Sequence, residues 1–250
     1  MKVKGCIEMY KIKNFLENDD IRVVDQKKNI KVIEYLKDLS VNPYTCITQY
    51  YAAQMNVRKR QTVIELNDDE YITSAGAMQW MLGNVNTVTD VKGVGDFLGK
   101  ALKGSVTKES IVKPKYRGTG ILVLEPTYNH LIIEDLSTWG NGMVIDDGMF
   151  LACQSSVKYD VVMRSNLSSA VLGNQGLFSL KLSGEGLAVL ESPVPRNELI
   201  EIELVNDQIK IDGNFAVAWS DTLEFTVEKY LCINGPMQFR PSLFRGQLYS

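Results

Sequence analysis

Apolar and polar residues alternate strictly along several stretches of the second half of the chain. In ELIEIELV (198–205), Ile200 and Ile202 alternate with glutamates, and TLEFTVE (222–228) repeats the pattern. Alternation of this kind predicts β-strands with one apolar and one polar face. Turn residues recur every 8–12 positions, which favours an all-β sandwich or barrel. These turn signals are Pro126, Gly140-Asn141-Gly142, Gly148, Pro193, Asn206-Asp207 and Gly213.

The alternating pattern occurs twice in register. Residues 118–161 and 184–227 align without a gap when one is shifted by 66 positions. Gly118 then falls on Gly184, and a third, more diverged copy over 44–90 follows with an offset near 72. Because repeated units decide the fold, this duplication predicts an architecture of successive similar β units. The other matched pairs include Gly120 with Gly186, Glu125 with Glu191, Asp146 with Asp212, and Gly76 with Gly148.

The copies predict a division of the chain into three parts. Residues 1–92 hold two N-terminal strands, near Ile21–Val24 and Val32–Leu36, and the first β unit. Residues 93–165 hold a glycine-rich linker and the second unit, and residues 166–250 hold the third unit and a divergent tail. The linker at 91–110 lacks the spacing of a phosphate-binding loop, so a flexible or packed connection is the default. The tail at 230–250 has two prolines and weak alternation, which predicts irregular structure.

Several segments resemble the family labelled mitochondrial biogenesis or altered inheritance of mitochondria. They are MNVRKRQ (55–61), SAGAMQWM (74–81), GVGDFLGKALKG (93–104), YRGTGILVLEP (116–126), IDDGMFLA (145–152), GLFSLKLSGEG (176–186) and IDGNFAVAW (211–219). The resemblance implies three tandem β-sandwich units in a pseudo-threefold arrangement. Each would be a shortened double-stranded β-helix similar to the subunit of the trp RNA-binding attenuation protein (TRAP-like). It also implies edge-to-edge joining into a homo-oligomeric ring, for instance a trimer, and it supplies no catalytic residue.

Composition narrows the classes of partner. The 250 residues are 45% hydrophobic and 23% charged, with a net charge of −3 and a pI near 5.4. Nucleic-acid binding wants a basic face, so a broad nucleic-acid footprint is disfavoured. No apolar run approaches the ~18–20 residues of a membrane span, and the N-terminus has no apolar signal core. Four cysteines without a CxxC pair predict free thiols in a reducing cytoplasm.

The residues that carry chemistry do not form a catalytic pattern. His130 is the sole histidine, which excludes His-rich metal sites, and no G-x-S-x-G motif is present. Glu125 and Glu191 recur at one repeat position, which indicates a shared structural role. The aspartates 146, 147 and 212 precede glycine or lie beside it, as in tight turns, rather than forming a cation site. We therefore expect no enzymatic activity, no cofactor and no metal.

The densest basic cluster is the candidate for partner or ligand contact. It comprises Arg58, Lys59 and Arg60. A structural, assembly or protein-interaction role is the favoured function, and a small-ligand site between adjacent β units is the alternative. RNA binding is less favoured, because a shared fold does not transfer function and the net charge opposes it. Trp80, Trp139 and Trp219 are expected to anchor cores or interfaces.

Overall fold

A computed structural model describes residues 10–38, 40–88, 113–146, 148–163, 178–211, 215–227 and 242–246. For 242–246 and a few strand-end residues it describes the backbone alone. The glycine-rich linker, the connection after residue 163, and the predicted turn aspartates Asp147 and Asp212 lie outside the described residues.

Most of the described chain is β-strand, which confirms the all-β prediction. The strands are β1 (Ile21–Lys27), β2 (Ile30–Tyr35), β3 (Arg60–Thr73), β4 (Met78–Val88), β5 (Lys115–Leu124), β6 (His130–Asp135), β7 (Met143–Ile145), β8 (Phe150–Gln154), β9 (Lys158–Met163), β10 (Phe178–Ser183), β11 (Leu187–Ser192), β12 (Gln208–Ile211), β13 (Ala218–Ser220), β14 (Leu223–Val227) and β15 (Ser242–Gly246). One α-helix, α1 (Cys46–Gln54), and two short 3-10 helices, Leu136–Trp139 and Arg196–Glu198, complete the described elements.

The largest sheet has eight strands and curls into a nearly closed barrel. Its path runs β1-β2-β3-β8-β11-β6, and β5 joins β3 to β4. The two ends of the path meet where Lys27 Nζ donates a hydrogen bond to the carbonyl oxygen of Ile133 at 2.5 Å. The interior is filled by β-branched and leucine side chains such as Ile64, Leu122 and Val189, all fully buried. Their alternation along each strand turns one face of the sheet inward.

Two smaller sheets continue from the barrel. One has the order β13-β7-β10-β9 and the other β12-β15-β14. A second core lies between the barrel and the first of these sheets, around Ile145, Phe150, Leu182 and Leu190. Trp219 belongs to a third core, and Trp80 packs beside Ile33 and Val63 in a fourth, so both tryptophans lie in apolar clusters as expected.

Strand registers recur along the chain with the offsets seen in the sequence. In β3 and β8, Tyr71 pairs with Gln154, and in β7 and β13, Met143 pairs with Ser220. Moving Tyr71 forward by 72 positions gives Met143, and moving Gln154 forward by 66 gives Ser220. The pair β4–β5 corresponds in the same way to the pair β8–β11. β4 moves forward by 72 positions onto β8 and β5 by 66 onto β11, and the register shift falls at the matching position in both pairs. Strands from all three predicted parts share the largest sheet, because β3, β8 and β11 are neighbours in it.

Residues 46–54, within the predicted first copy, form α1, because they lack alternation and include two alanines, which favour helix. Two local expectations are wrong. The alternating stretch around Ile200 and Ile202 is irregular, since no described strand pairs with it and an isolated strand is not stable. In the tail, residues 242–246 form β15, which β12 and β14 pair on both sides. The two N-terminal strands fall where the sequence placed them.

The repeated glycine at the start of the G-x-G motif is required by close packing of β4 on β5. A Cβ atom at Gly118, which has φ +141°, would overlap the carbonyl oxygen of Asn84. We predict that Gly118→Ala lowers the free energy of unfolding by at least about 3 kcal/mol, because β4 must move away from β5. Gly148→Ala is the control, since φ is +89° there and nothing lies within 4 Å. Its expected cost is about 1–2 kcal/mol of backbone strain. Equal costs in urea denaturation would contradict this account.

Candidate functional site

Helix α1 carries an exposed apolar stripe. None of its side chains is buried, and in the helix and at its two ends Tyr44, Ile47, Tyr51 and Met55 are 94%, 66%, 65% and 78% exposed. Ile47 and Tyr51, four residues apart, lie on one helical face, whereas Tyr44 precedes the helix and Met55 is its C-terminal cap. These four residues are called the α1 stripe. Large exposed apolar patches are uncommon on monomeric proteins and mark interaction surfaces.

The α1 stripe lies within a segment that has no charged residue. From Val41 to Val57 the chain contains no Asp, Glu, Lys or Arg. Tyrosine and methionine are enriched at protein interfaces, and charged residues are depleted at their centres. The helix has nine residues, and nowhere in the described residues is a helix long and apolar enough to cross a bilayer.

Local hydrogen bonds determine where α1 begins and ends. Asn42 Oδ1 accepts bonds from the backbone N–H groups of Tyr44 and Thr45 at 2.9 and 3.2 Å, which turns the chain into the helix. At the other end Asn56 has φ +63°, and the N–H of Val57 donates to the carbonyl oxygen of Ala52 at 2.9 Å. A left-handed residue followed by such a bond is a common helix stop.

Two arginines hold the C-terminal end of α1 to the barrel. Arg58 Nε donates to the carbonyl oxygen of Ala53 at 3.2 Å, within the last turn of the helix. Arg60 Nη2 donates to the backbone oxygen of Asn56 at 3.0 Å and to its Oδ1 at 2.9 Å. Arg60 is also the first residue of β3, and its own backbone exchanges two hydrogen bonds with Thr127. The helix is thus fixed by charged donors rather than by apolar burial.

Both arginines converge on one buried carboxylate, that of Glu34 in β2. Glu34 is 2% exposed and contacts Arg60 Nη2 at 2.7 Å, Arg22 Nη2 at 2.8 Å and Arg58 Nη1 at 3.1 Å. Burial alone would raise the pKa of Glu34. The charges and hydrogen bonds of Arg60, Arg22 and Arg58 outweigh that effect and hold the pKa below its ordinary value. This carboxylate and its guanidinium partners are called the Glu34 network.

The predicted basic cluster is therefore engaged inside the protein. Arg58 and Arg60 contact Glu34, and Lys59 Nζ lies 2.7 Å from a carboxylate oxygen of Asp38. Arg60 is 3% exposed, so its guanidinium faces the interior. Structural ion pairs explain the cluster, and a contact with nucleic-acid phosphates would have to compete with them.

A cleft of about 330 Å³ lies between α1 and the end of β2. Tyr35, Tyr50 and Tyr128 stand around it, together with aliphatic side chains such as Ala53 and Val57. Its volume is at the small end of ligand pockets, enough for one or two side chains or a small apolar molecule. The remaining lining residues are Leu36, Lys37, Asp38, Val41, Cys46, Gln49, Gln54, Arg58 and Lys59.

The recurrent glutamates occupy matching places in the backbone. The N–H of Glu125 donates to the carbonyl oxygen of Ala77, and the N–H of Glu191 donates to that of Met149, each at 2.7 Å. Ala77 and Met149 are themselves 72 positions apart. The Glu191 side chain accepts from Asn129 Nδ2 at 2.7 Å. A shared structural role fits these contacts.

The other reactive side chains are separated. His130 begins β6, where burial and the charge of Arg60 lower its pKa against the opposing charges of Glu198 and Glu34. Burial raises the pKa of Cys153 to about 12, so this thiol is not a ready nucleophile, whereas Cys46 is exposed. Across the described ranges no three His, Cys, Asp or Glu side chains form a group that could hold a metal ion.

Sequence reasoning found the arginines and missed the surface that they hold in place. The available signal was the charge-free run from Val41 to Val57, preceded by an Asn-Pro turn. It gave no hint of Glu34 as the common partner, because Glu34 lies in an ordinary alternating strand some 24 residues before Arg58.

Comparison with known proteins relates the chain to one protein family and to streptococcal proteins. A model of the family described as mitochondrial biogenesis AIM24 matches residues 54–247. An uncharacterized protein of Streptococcus pyogenes serotype M6 is 30% identical over 159 residues, which cover 61% of this chain; the chain spans 62% of that relative's length. The X-ray structure of a Streptococcus pyogenes protein is similar with a TM-score of 0.55 and 25% identity. The similarity covers 77% of this chain and 86% of that one.

The Glu34 network makes a prediction about acid stability. Because the folded pKa of Glu34 is lowered, its stabilising contribution is complete above the ordinary value of 4.5 and is lost as the pH falls below it. We predict that Glu34→Gln costs about 3–5 kcal/mol at pH 7, since the buried guanidinium group of Arg60 loses its counter-charge. The difference from the unsubstituted chain should shrink as the pH falls from about 5 to 3.

Arg22→Gln is the matched control for this experiment. The Arg22 side chain is 54% exposed. Its loss should cost no more than about 1 kcal/mol, as for surface ion pairs. Denaturant unfolding of both variants across the pH range measures the comparison. The account is wrong if Glu34→Gln costs no more than Arg22→Gln, or if its cost is the same at every pH.

Proposed function

The chain belongs to the mitochondrial biogenesis AIM24 family, and on that premise we propose that it is a non-enzymatic assembly protein. In this proposal the β barrel is the scaffold, and the α1 stripe docks a surface of another protein. The observation that carries the proposal is the contrast within α1. The helix buries no side chain, yet Arg58 and Arg60 fix it to a buried carboxylate.

That contrast favours presentation over packing. A helix that served the core would bury an apolar face, and most helical stability in proteins comes from such burial. Here the apolar side chains Tyr44, Ile47, Tyr51 and Met55 face outward. Functional groups are best held on elements that the scaffold keeps rigid, which lowers the ordering cost of binding. The anchoring by charged donors supplies that rigidity without covering the stripe.

The chemistry of the stripe favours a protein partner with an apolar, uncharged patch. Helices that bind membrane surfaces have a charged polar face rich in Lys and Arg. The segment from Val41 to Val57 has no charge to offer an anionic lipid headgroup. Tyr51 and Tyr50 form an edge-to-face pair with ring centroids 5.5 Å apart, a rigid aromatic surface of the kind that dominates interface energetics.

The proposal includes three TRAP-like β units and a homo-oligomeric ring, as the family resemblance implied. The recurrence of strand registers at offsets of 72 and 66 supports repeated units. A cytoplasmic location is likewise part of the proposal. The free thiols of Cys46 and Cys153 support it, because reduced cysteines are usual in that compartment.

A small-ligand function is the second candidate, and the cleft beside α1 is the observation that favours it. The earlier expectation put such a site between adjacent β units, whereas this cleft lies between α1 and β2. Its tyrosines and aliphatic side chains would suit a small apolar or aromatic molecule. RNA binding is less favoured, since Arg58, Lys59 and Arg60 are all in ion pairs.

Photo-crosslinking in the chain's native cells tests the proposed docking surface. We predict that a benzoylphenylalanine at position 47, in the centre of the stripe, forms covalent adducts with another polypeptide on irradiation. The matched control places the same group at Glu203, which is also exposed but lies far along the chain in an irregular segment. Adducts should depend on position 47, and the additional variant Tyr51→Lys should reduce them at least ~10-fold, since a buried unpaired charge opposes docking.

Mass spectrometry of the adducts identifies the partner. Absence of adducts at position 47, or equal yields at positions 47 and 203, would refute docking on the α1 stripe. Adducts with lipid alone would assign the stripe to a membrane surface and would also refute the proposal.

A further inference from the structure

We infer that copies of this chain join head to tail, with β12 of one copy pairing in an antiparallel ladder with β4 of the next. The inference rests on the proposed assembly function and specifies one of its interfaces. Its evidence is separate from that for the α1 stripe, because it comes from the repeated registers and from two strand edges.

Neighbouring parts of the chain contact each other twice in the same way. The end of β3 pairs with β8, and β7 pairs with β13, in equivalent registers. The flanking backbone bonds recur too. The N–H of Ser74 donates to the carbonyl oxygen of Leu151, and the N–H of Asp146 donates to that of Val217. Each contact therefore joins a strand of one predicted unit to a strand of the next unit. These pairs are β3 with β8 and β7 with β13.

The third unit contains the donor strand of this contact. Moving Met143 forward by 66 positions gives Ile209, which lies in β12. In the sheet β12-β15-β14, β12 occupies the place that β7 has beside β10 and β9. β7 has a second neighbour, β13, on its other edge. Among the described strands β12 has no such second neighbour, so it is the edge strand of its sheet.

The first unit contains the acceptor strand. Moving Gln154 back by 72 positions gives Leu82, which lies in β4. β4 is equivalent to β8, which has a neighbour on each side, β11 and β3. Among the described strands β4 has one neighbour, β5. The repeat rule therefore pairs Ile209 with Leu82 and Ile211 with Trp80.

The β4 edge has little of the usual protection against pairing. Exposed edge strands normally carry charges, prolines or bulges that prevent association with other strands. The bulge of β4, between Met78 and Trp80, recurs in β8, and β8 pairs with β3 beside it. The sequence of β4, MQWMLGNVNTV, has no charged residue and no proline over eleven residues. Gln79 and Met81 are exposed, and Trp80 packs edge-on against Phe15, with ring centroids 5.4 Å apart. That packing covers a face of the strand, and among the described strands only β5 pairs with its backbone.

The side chains brought together would be compatible. The inferred register places Ile209 opposite Leu82 and Ile211 opposite Trp80, and apolar and aromatic cross-strand pairs stabilise sheets. Addition of a strand to an open edge is an established mode of protein association, in which backbone bonds supply affinity. Because the two edges differ, the contact is heterologous, and repetition gives a ring or a filament.

Disulfide trapping between two differently substituted chains tests the pairing directly. Cys6, Cys46 and Cys232 are replaced by serine in full-length protein, which leaves the buried Cys153. Ile209→Cys chains are then mixed with Leu82→Cys chains and oxidised mildly. Directly opposed residues in antiparallel strands have Cα atoms about 4.5–5.5 Å apart, within disulfide range. We expect a product of twice the 28.1 kDa chain mass that contains one chain of each kind.

The off-register control replaces Leu82→Cys with Asn86→Cys, also on β4, and should reduce the yield at least ~10-fold, since Asn86 lies about 13 Å further along the strand. Cross-linking of each single variant with itself would indicate an isologous contact and would overturn the inference. So would equal yields with Asn86→Cys, no product at all, or a purely internal disulfide in a chain with both cysteines.

Light scattering of the unsubstituted chain measures self-association without relying on cysteine variants, which can fold poorly. Over roughly 1–200 µM, a range that detects micromolar affinity, the mean mass should rise, and Met81→Lys should weaken association at least ~10-fold. A constant monomer mass would overturn the inference. Adducts at position 47 with a different protein, alongside such a monomer, would leave the proposed docking function standing. A constant monomer mass together with no adducts at position 47 would refute both proposals.

Discussion

The arrangement at the helical side of the barrel depends on one buried negative charge. An isolated carboxylate in the interior is costly, so Glu34 can remain ionised only with positive partners close by. Arg22, Arg58 and Arg60 provide them, each within 3.1 Å. Meeting this requirement brings β1, β2 and β3 together. It also aims the remaining donors of Arg58 and Arg60 at the last turn of α1.

This constraint connects stability with the proposed function. The apolar side chains of α1 do not hold the helix in place, so they are available to a partner. The cleft beside the helix lies between α1 and the end of β2, and Arg58 is among the residues that line it. The rest of the fold follows a different rule, the backbone pairing of β3 with β8 and of β7 with β13 in equivalent registers. Among the described strands, β4 and β12 each have one neighbour, β5 and β15.

The sequence predicted those features that local periodicity encodes. The strands β1 and β2, the glycine turn at Gly76 and Gly148, and the recurring Glu125 and Glu191 all follow from spacing and duplication. Periodicity failed at Ile200 and Ile202, where alternation is present but no described strand provides backbone partners.

The candidate site was the part that spacing could not reveal. Arg58, Lys59 and Arg60 were identifiable as a dense basic cluster, and their role was not, because that role depends on Glu34, which is distant in sequence. The α1 stripe was visible as a run without charge. Its exposure depends on tertiary contacts, since the same apolar residues would be read as core in a helix packed against a sheet.

Native-state hydrogen exchange tests the central claim most directly, that the Glu34 network fixes α1, a helix with no buried side chain. In Glu34→Gln, the amides of Gln49 to Ala53 should lose protection by at least ~100-fold, which corresponds to about 2.7 kcal/mol. Amides of β5 and β11 should keep a protection set by global unfolding and remain far slower than those of α1. If α1 keeps its protection in the variant, or exchanges only together with the barrel strands, the helix is held by other contacts and the account is wrong.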